Sequence, residues 1–167
     1  MENVDLFSTH LKCLTQIFEI KGKVNNVIEF GMGYYSTDLL LQNSINLISI
    51  EMQSNDWFNT ITTKFNETTN WTPILKLGAS EYTTVDFPKK IDLAFVDGHV
   101  ETRPECVNLM GKMGCPIIIA HDTEALDVYG WNRVNLGDKY KSIIYDEYVN
   151  WTTLWTTDMD LYNKLKK

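Results

Sequence analysis

Five short apolar runs recur along this chain, VIEF (27–30), LISI (47–50), PILKL (73–77), IDLAFV (91–96) and PIIIA (116–120), with helical spacing between most of them. That alternation limits the available folds, because a strand, a helix and a second strand normally pair in parallel through a right-handed crossover. A run such as PIIIA, apolar at every position, suits a strand covered on both faces. Between the runs, Leu11, Leu14, Ile17 and Phe18 define a helix over 6–20, with Gly22 as its stop. Thr37 to Gln42 forms a second helix, and Trp57, Phe58, Ile61 and Phe65 share a stripe over 55–65. Pro104 suits a first helical turn that continues through Val107 to Met113.

The tail departs from this rhythm. KSIIYDEYV (141–149) and TTLWTT (152–157) lie too close for a crossover and read as an antiparallel pair, with a short polar helix after Asp158. The expectation is an α/β fold: a single-domain, Rossmann-like doubly wound sheet, mostly parallel, with an antiparallel strand pair at its C-terminal end. A length of 167 residues suits one domain over 1–167, with an amino-terminal helix, a first half over 24–90 and a second over 91–157. No apolar stretch reaches the length of a membrane span, and MENVDLF lacks the shape of a signal peptide. Cys13, Cys106 and Cys115 are too few and too scattered for a disulfide framework. A soluble, cytoplasmic protein is expected. Its net charge of −7 opposes general attraction to nucleic acid.

The chemistry-bearing residues fall at strand ends. Glu29 precedes a glycine turn, Glu51 ends the second strand, Asp97 the fourth, and His121-Asp122 the fifth. In an open parallel sheet these ends share one edge, where ligands bind. Packing does not call for acids there, since a buried unpaired carboxylate is costly. An acid-lined edge suits hydroxyls, a cationic ligand or a metal ion. In EFGMGYYST, Gly31 and Gly33 permit a tight turn and Ser36 or Thr37 can cap the next helix. Glu51 follows Gly31 by 20 residues, the spacing at which an acid meets ribose hydroxyls. The third glycine of a dinucleotide turn is replaced by Ser36, and a pyrophosphate sits poorly beside Glu29. S-adenosylmethionine, a cationic adenosyl compound without phosphate, is the better match.

With these features together, residues 24–157 resemble a class I S-adenosylmethionine-dependent methyltransferase. VIEFGMGYYST resembles the family's first motif, with Tyr35 in place of its third glycine. The resemblance implies that Glu29, Gly31, Gly33, Tyr35 and Ser36 line the cofactor and that Glu51 holds its ribose. Adenine would meet Ser80 or Glu81, in GASE (78–81), where the family often has aspartate. FVDGHVETRPE and IIIAHDTE resemble small-molecule and sugar O-methyltransferases. On that likeness Asp97 and His99 are catalytic candidates and Asp97 also touches the cofactor; Arg103 is a candidate to bind substrate, with a salt bridge to an edge acid as its other reading. Asp97, His121 and Asp122 are candidate ligands for Mg2+, with His121 a departure where aspartate is common. The other reading has the two acids bind the cofactor's methionine end or hydrogen-bond the loop, with His121 orienting one of them.

The expected activity is O-methylation of a small molecule or sugar, with no membrane or nucleic-acid partner and homo-oligomerisation open. Two rivals stand beside it: a non-catalytic binding module that keeps the fold, and a small NAD-binding Rossmann protein.

Overall fold

The computed structural model describes residue 5 and residues 8–78 and 80–167. The expected helix over 6–20 begins instead at Leu11 (α1, Leu11–Lys21); Leu6 and Phe7 lie outside the described residues, as does Ala79. Gly22, with φ of +67°, ends α1 as expected. There follow β1 (Val24–Phe30), α2 (Ser36–Asn43), β2 (Ser44–Glu51), α3 (Asn55–Lys64) and β3 (Trp71–Leu75). A short 3-10 turn over Glu81–Thr84 precedes β4 (Leu93–Val96), α4 (Arg103–Lys112) and β5 (Ile117–His121). The segment expected as a long cover, 123–140, contains α5 (Leu126–Tyr129) and a 3-10 turn at Trp131–Arg133. The chain closes with β6 (Lys141–Tyr145), β7 (Thr152–Thr156) and α6 (Met159–Leu165).

The seven strands form one sheet in the order β3-β2-β1-β4-β5-β7-β6. β1 to β5 run parallel; β6 and β7 pair antiparallel, as the closely spaced tail runs predict, and β7 also runs antiparallel to β5. Alternation along each strand divides the core between two faces. Val27, Leu47, Leu93, Ile117 and Ile119 pack with Leu14 and Ile17 of α1, Leu40 of α2 and Leu161 of α6. Ile28, Phe30, Ile50, Val96 and Ile118 face the other way, onto Val107 and Met110 of α4 and the ring of Trp131.

The strand order reverses at β1 and β4, and there the backbones at the carboxyl ends are in direct contact. Asp97 N–H donates to Phe30 O at 2.8 Å, and Gly31 N–H donates to Ile50 O at 2.8 Å. Gly31 has φ of +87°, and a Cβ built on it would lie 2.4 Å from the Asp97 carbonyl oxygen. No side chain fits between these two backbones. Gly31→Ala is therefore expected to lose roughly 2–4 kcal/mol of unfolding free energy in urea, from steric conflict plus backbone strain. Gly114→Ala, at φ of +76° with nothing within 4 Å, carries the strain alone and should lose only about 1–2 kcal/mol.

Candidate functional site

The glycine turn is held from beneath by Glu29. Its carboxylate is fully buried and accepts hydrogen bonds from Ser49 (2.6 Å), Ser36 (2.7 Å) and Thr37 (2.9 Å). Thr37 Oγ1 in turn accepts the Gly33 N–H at 3.0 Å. Burial pushes the Glu29 carboxyl up to about 7 against the pull of its three hydroxyl partners. Glu29 thus anchors the turn from inside rather than facing a ligand. Glu51 holds the other side: it is 1% exposed and accepts from the backbone N–H groups of Gln53 (2.7 Å), Ser54 (3.2 Å) and Met32 (3.3 Å). Trp57 completes the support by donating its indole N–H to Met32 O at 2.7 Å.

A second charged group lies beyond β4 and β5. The Arg103 guanidinium, only 6% exposed, donates from Nη2 to Asp97 Oδ1 (2.8 Å), from Nη1 to Asp122 Oδ2 (2.9 Å) and His121 O, and from Nε to Gly98 O. It also stacks 4.2 Å from the centroid of the Tyr129 ring. The expected substrate residue is thus engaged within the protein: all three of its nitrogens are committed to protein acceptors, because two carboxylates at adjoining strand ends need a counter-charge. His121 Nδ1 lies 3.4 Å from Asp97 Oδ2 and 3.5 Å from Asp122 Oδ1, and Nε2 meets Thr9 Oγ1 at 2.8 Å. Burial opposes charge on both members of the Asp97–His121 pair, but their mutual hydrogen bond and attraction prevail. Asp97 is held below the usual carboxylate range and His121 above the usual imidazole value. His10, 3% exposed, stands edge-on to His121 with ring centroids 4.9 Å apart. Burial, with His121 adding to it, lowers His10 to about 4, so its imidazole is neutral at neutral pH.

Between these groups and the glycine turn is a cavity of about 370 Å³, walled by residues 32–36, Trp57, Asp5, His10 and Asp97. Of the expected site residues it gathers Gly33, Tyr35, Ser36 and Asp97. Gly31 lies behind it, against Asp97, and Glu29 and Glu51 brace it without lining it. His99 is off the cavity, on the loop after β4, where Nδ1 accepts the Glu101 N–H at 3.3 Å. Ser80 borders a separate, more open cavity of about 730 Å³ beside Tyr82, Glu101 and Arg133, and Glu81 is exposed and lines neither. His10 and Trp57 were not anticipated at the site. His10 lies three, four and seven residues before Cys13, Leu14 and Ile17, so a polar ring on α1's buried stripe was the available signal.

No protein-family model matches this sequence, and no curated protein matches it. Solved structures do. The fold resembles an O-methyltransferase from Bacillus cereus solved with S-adenosylhomocysteine, at 16% identity and TM-score 0.67, over 92% of this chain and 82% of that one. It also resembles the N-methyltransferase NodS from Bradyrhizobium japonicum, with the same ligand, at 12% identity and TM-score 0.66, over 94% and 90% of the two chains. The Podospora anserina methyltransferase PaMTH1, likewise bound to S-adenosylhomocysteine, aligns at 14% identity and TM-score 0.64, over 95% and 83%. The chain therefore has the fold of class I methyltransferases.

The acids expected to hold Mg2+ do not fit that ion. Mg2+ requires near-octahedral oxygen ligands. Here Arg103 takes one oxygen of Asp97 and one of Asp122, Tyr129 donates to the same Asp122 oxygen at 3.1 Å, and His121 supplies nitrogen. A fixed guanidinium already occupies the place between the two carboxylates.

Glu29 carries a pH signature. Its folded-state value, about 7, exceeds the ordinary 4.5, so its contribution to stability is full below about pH 4.5 and disappears as pH rises through 7. The unfolding free energy of the native chain minus that of Glu29→Gln should fall across this window, by at most roughly 3 kcal/mol. Parallel urea titrations at several pH values test this, and a flat difference would place the carboxyl in its ordinary range.

Proposed function

We propose that this chain is an S-adenosylmethionine-dependent methyltransferase whose acceptor is a hydroxyl group of a small molecule or sugar. The observation that carries this reading is the charge of the cavity against the glycine turn. Its wall includes the carboxylates Asp5 and Asp97 and, among the described residues, no Lys or Arg. An adenosyl compound with a sulfonium and an α-amino group is favoured in such a place. A pyrophosphate is not. The volume lies within the roughly 300–1,000 Å³ of small-molecule sites, and Tyr34, Tyr35 and Trp57 offer ring surface to a purine or sulfonium. The solved neighbours that carry S-adenosylhomocysteine support the same class of ligand.

In this reading the residues 32–36 cradle the donor, braced by Glu29 below and by Glu51 and Trp57 at the side. Glu51 acts as a positioning residue, since its oxygens already hold the Met32, Gln53 and Ser54 N–H groups. The acceptor hydroxyl donates to Asp97. As oxygen attacks in line, the methyl carbon's bond to sulfur breaks, sulfur keeps the electron pair as a neutral thioether, and the hydroxyl proton passes to Asp97. A carboxylate held below its usual range still takes this proton, because an oxygen acquiring a third bond is strongly acidic. Asp97 is assigned this step over His99 because it lines the cavity. Most of the acceleration comes from alignment and exclusion of water.

A second reading, a binding module without turnover, is favoured by the internal use of Glu51, which leaves its carboxylate little exposed to a ribose. Calorimetry with S-adenosylhomocysteine and with NAD separates the classes. One equivalent of S-adenosylhomocysteine should bind and NAD should bind more weakly; the reverse order would overturn the proposal. Asp97→Asn should retain the native circular dichroism and lower methyl transfer to a hydroxyl acceptor by about 10²–10⁴-fold. Tight binding without transfer across a broad panel of hydroxyl acceptors would support the second reading.

A further inference from the structure

We propose that His10, Asp97 and His121 form a binding site for one first-row divalent cation of Zn2+ type. This inference does not depend on methyl transfer. One ligand atom from each of the three residues lies within 4.8 Å of the others. Two imidazoles and one carboxylate make a donor set that suits Zn2+, Fe2+ or Co2+ and disfavours Mg2+.

Three independent observations point to a ligand there. First, His10 is buried, yet neither Nδ1 nor Nε2 has a hydrogen-bond partner among the described residues. Leaving an imidazole so unsatisfied is costly, and a metal bond to one nitrogen removes that nitrogen's share of the cost. Second, the orientation of His121 is set from behind. Nε2 lies 2.8 Å from Thr9 Oγ1, which also reaches Asn150 O at 3.1 Å, and this contact leaves Nδ1 on the side of the carboxylates. Holding the non-ligating nitrogen this way is how proteins orient metal-binding histidines. Third, His121 Nδ1 and Asp97 Oδ2 are 3.4 Å apart, close to the roughly 3.3 Å between two ligands sharing a tetrahedral ion at about 2.0–2.1 Å.

Arg103 also belongs to this surround. It binds the other oxygen of Asp97, leaving Oδ2 toward the histidines. Its positive charge weakens any cation nearby and sets an upper limit on affinity, while it keeps Asp97 ionised. Three protein ligands leave a further coordination position. Since His10 and Asp97 line the 370 Å³ cavity, that position opens toward it, where a water or an acceptor oxygen can bind. The site draws one ligand from before α1 and two from adjoining strand ends, so it exists only in the folded chain.

Equilibrium dialysis of the full chain against Zn2+, with Co2+ absorption as a second probe, tests the proposal. One equivalent of Zn2+ should bind and should resist displacement by a large excess of Mg2+. Bound Co2+ should show the visible bands of a low-coordinate nitrogen and oxygen site, without a thiolate charge-transfer band. His10→Ala should weaken binding by more than the roughly 10–100-fold typical of losing an outer partner, and Thr9→Val by about that amount. Wild-type affinity in folded His10→Ala would overturn the site. So would ready displacement by Mg2+, or a thiolate band from Cys13, Cys106 or Cys115. If His10→Ala does not fold, the Co2+ spectrum of the native chain decides alone: bands of an octahedral aquo-like ion would sink the proposal. Failure of the native chain to bind Zn2+ or Co2+, with S-adenosylhomocysteine still bound, would refute this inference and leave the methyltransferase reading standing.

Discussion

The site depends on the close approach of two backbones, the turn after β1 and the end of β4. Gly31 lies against the Asp97 carbonyl where a methyl group has no room, and its positive φ turns the chain sharply out of the strand. This contact brings the glycine turn beside Asp97 and leaves the cavity between the turn, α1's leading residues and α3. The reversal of strand order at β1 and β4 makes it possible, since the connecting segments diverge to opposite sides there.

The acids at that edge are accommodated in three different ways. Glu29 is satisfied by hydroxyls and raised by burial, Glu51 accepts backbone N–H groups, and Asp97 and Asp122 share one guanidinium. Each solution uses a carboxylate to fix a loop, which explains how so many acids coexist at one end of a small sheet. Only Asp97 both anchors a loop and opens onto the cavity, with its side chain 26% exposed. Its Oδ1 is held by Arg103, while Oδ2 faces His121.

Strand and helix order was legible because apolar periodicity is written locally. The runs at 27–30, 47–50 and 116–120 all lie within or overlap observed strands, and the antiparallel tail follows from its short connection. Boundaries moved by a few residues: β1 starts at Val24, through Asn25 and Asn26, because backbone pairing with β2 continues beyond the apolar run. Likewise β6 stops at Tyr145, short of the run that continues to Val149. The list of residues near the glycine turn was legible, but which of them brace and which face the cavity was not. That difference depends on the direction of each side chain.

From the sequence alone came the α/β class, the acids at the strand ends and the glycine turn, each expressed by neighbours within a few residues. Tertiary structure alone brought His10 to Asp97 and His121, placed Arg103 between two carboxylates, and turned Glu29 and Glu51 inward. Those relations join residues as far apart in sequence as His10 and His121. No local pattern encodes them, because burial, counter-charge and hydrogen-bond satisfaction are settled only when separate elements pack together.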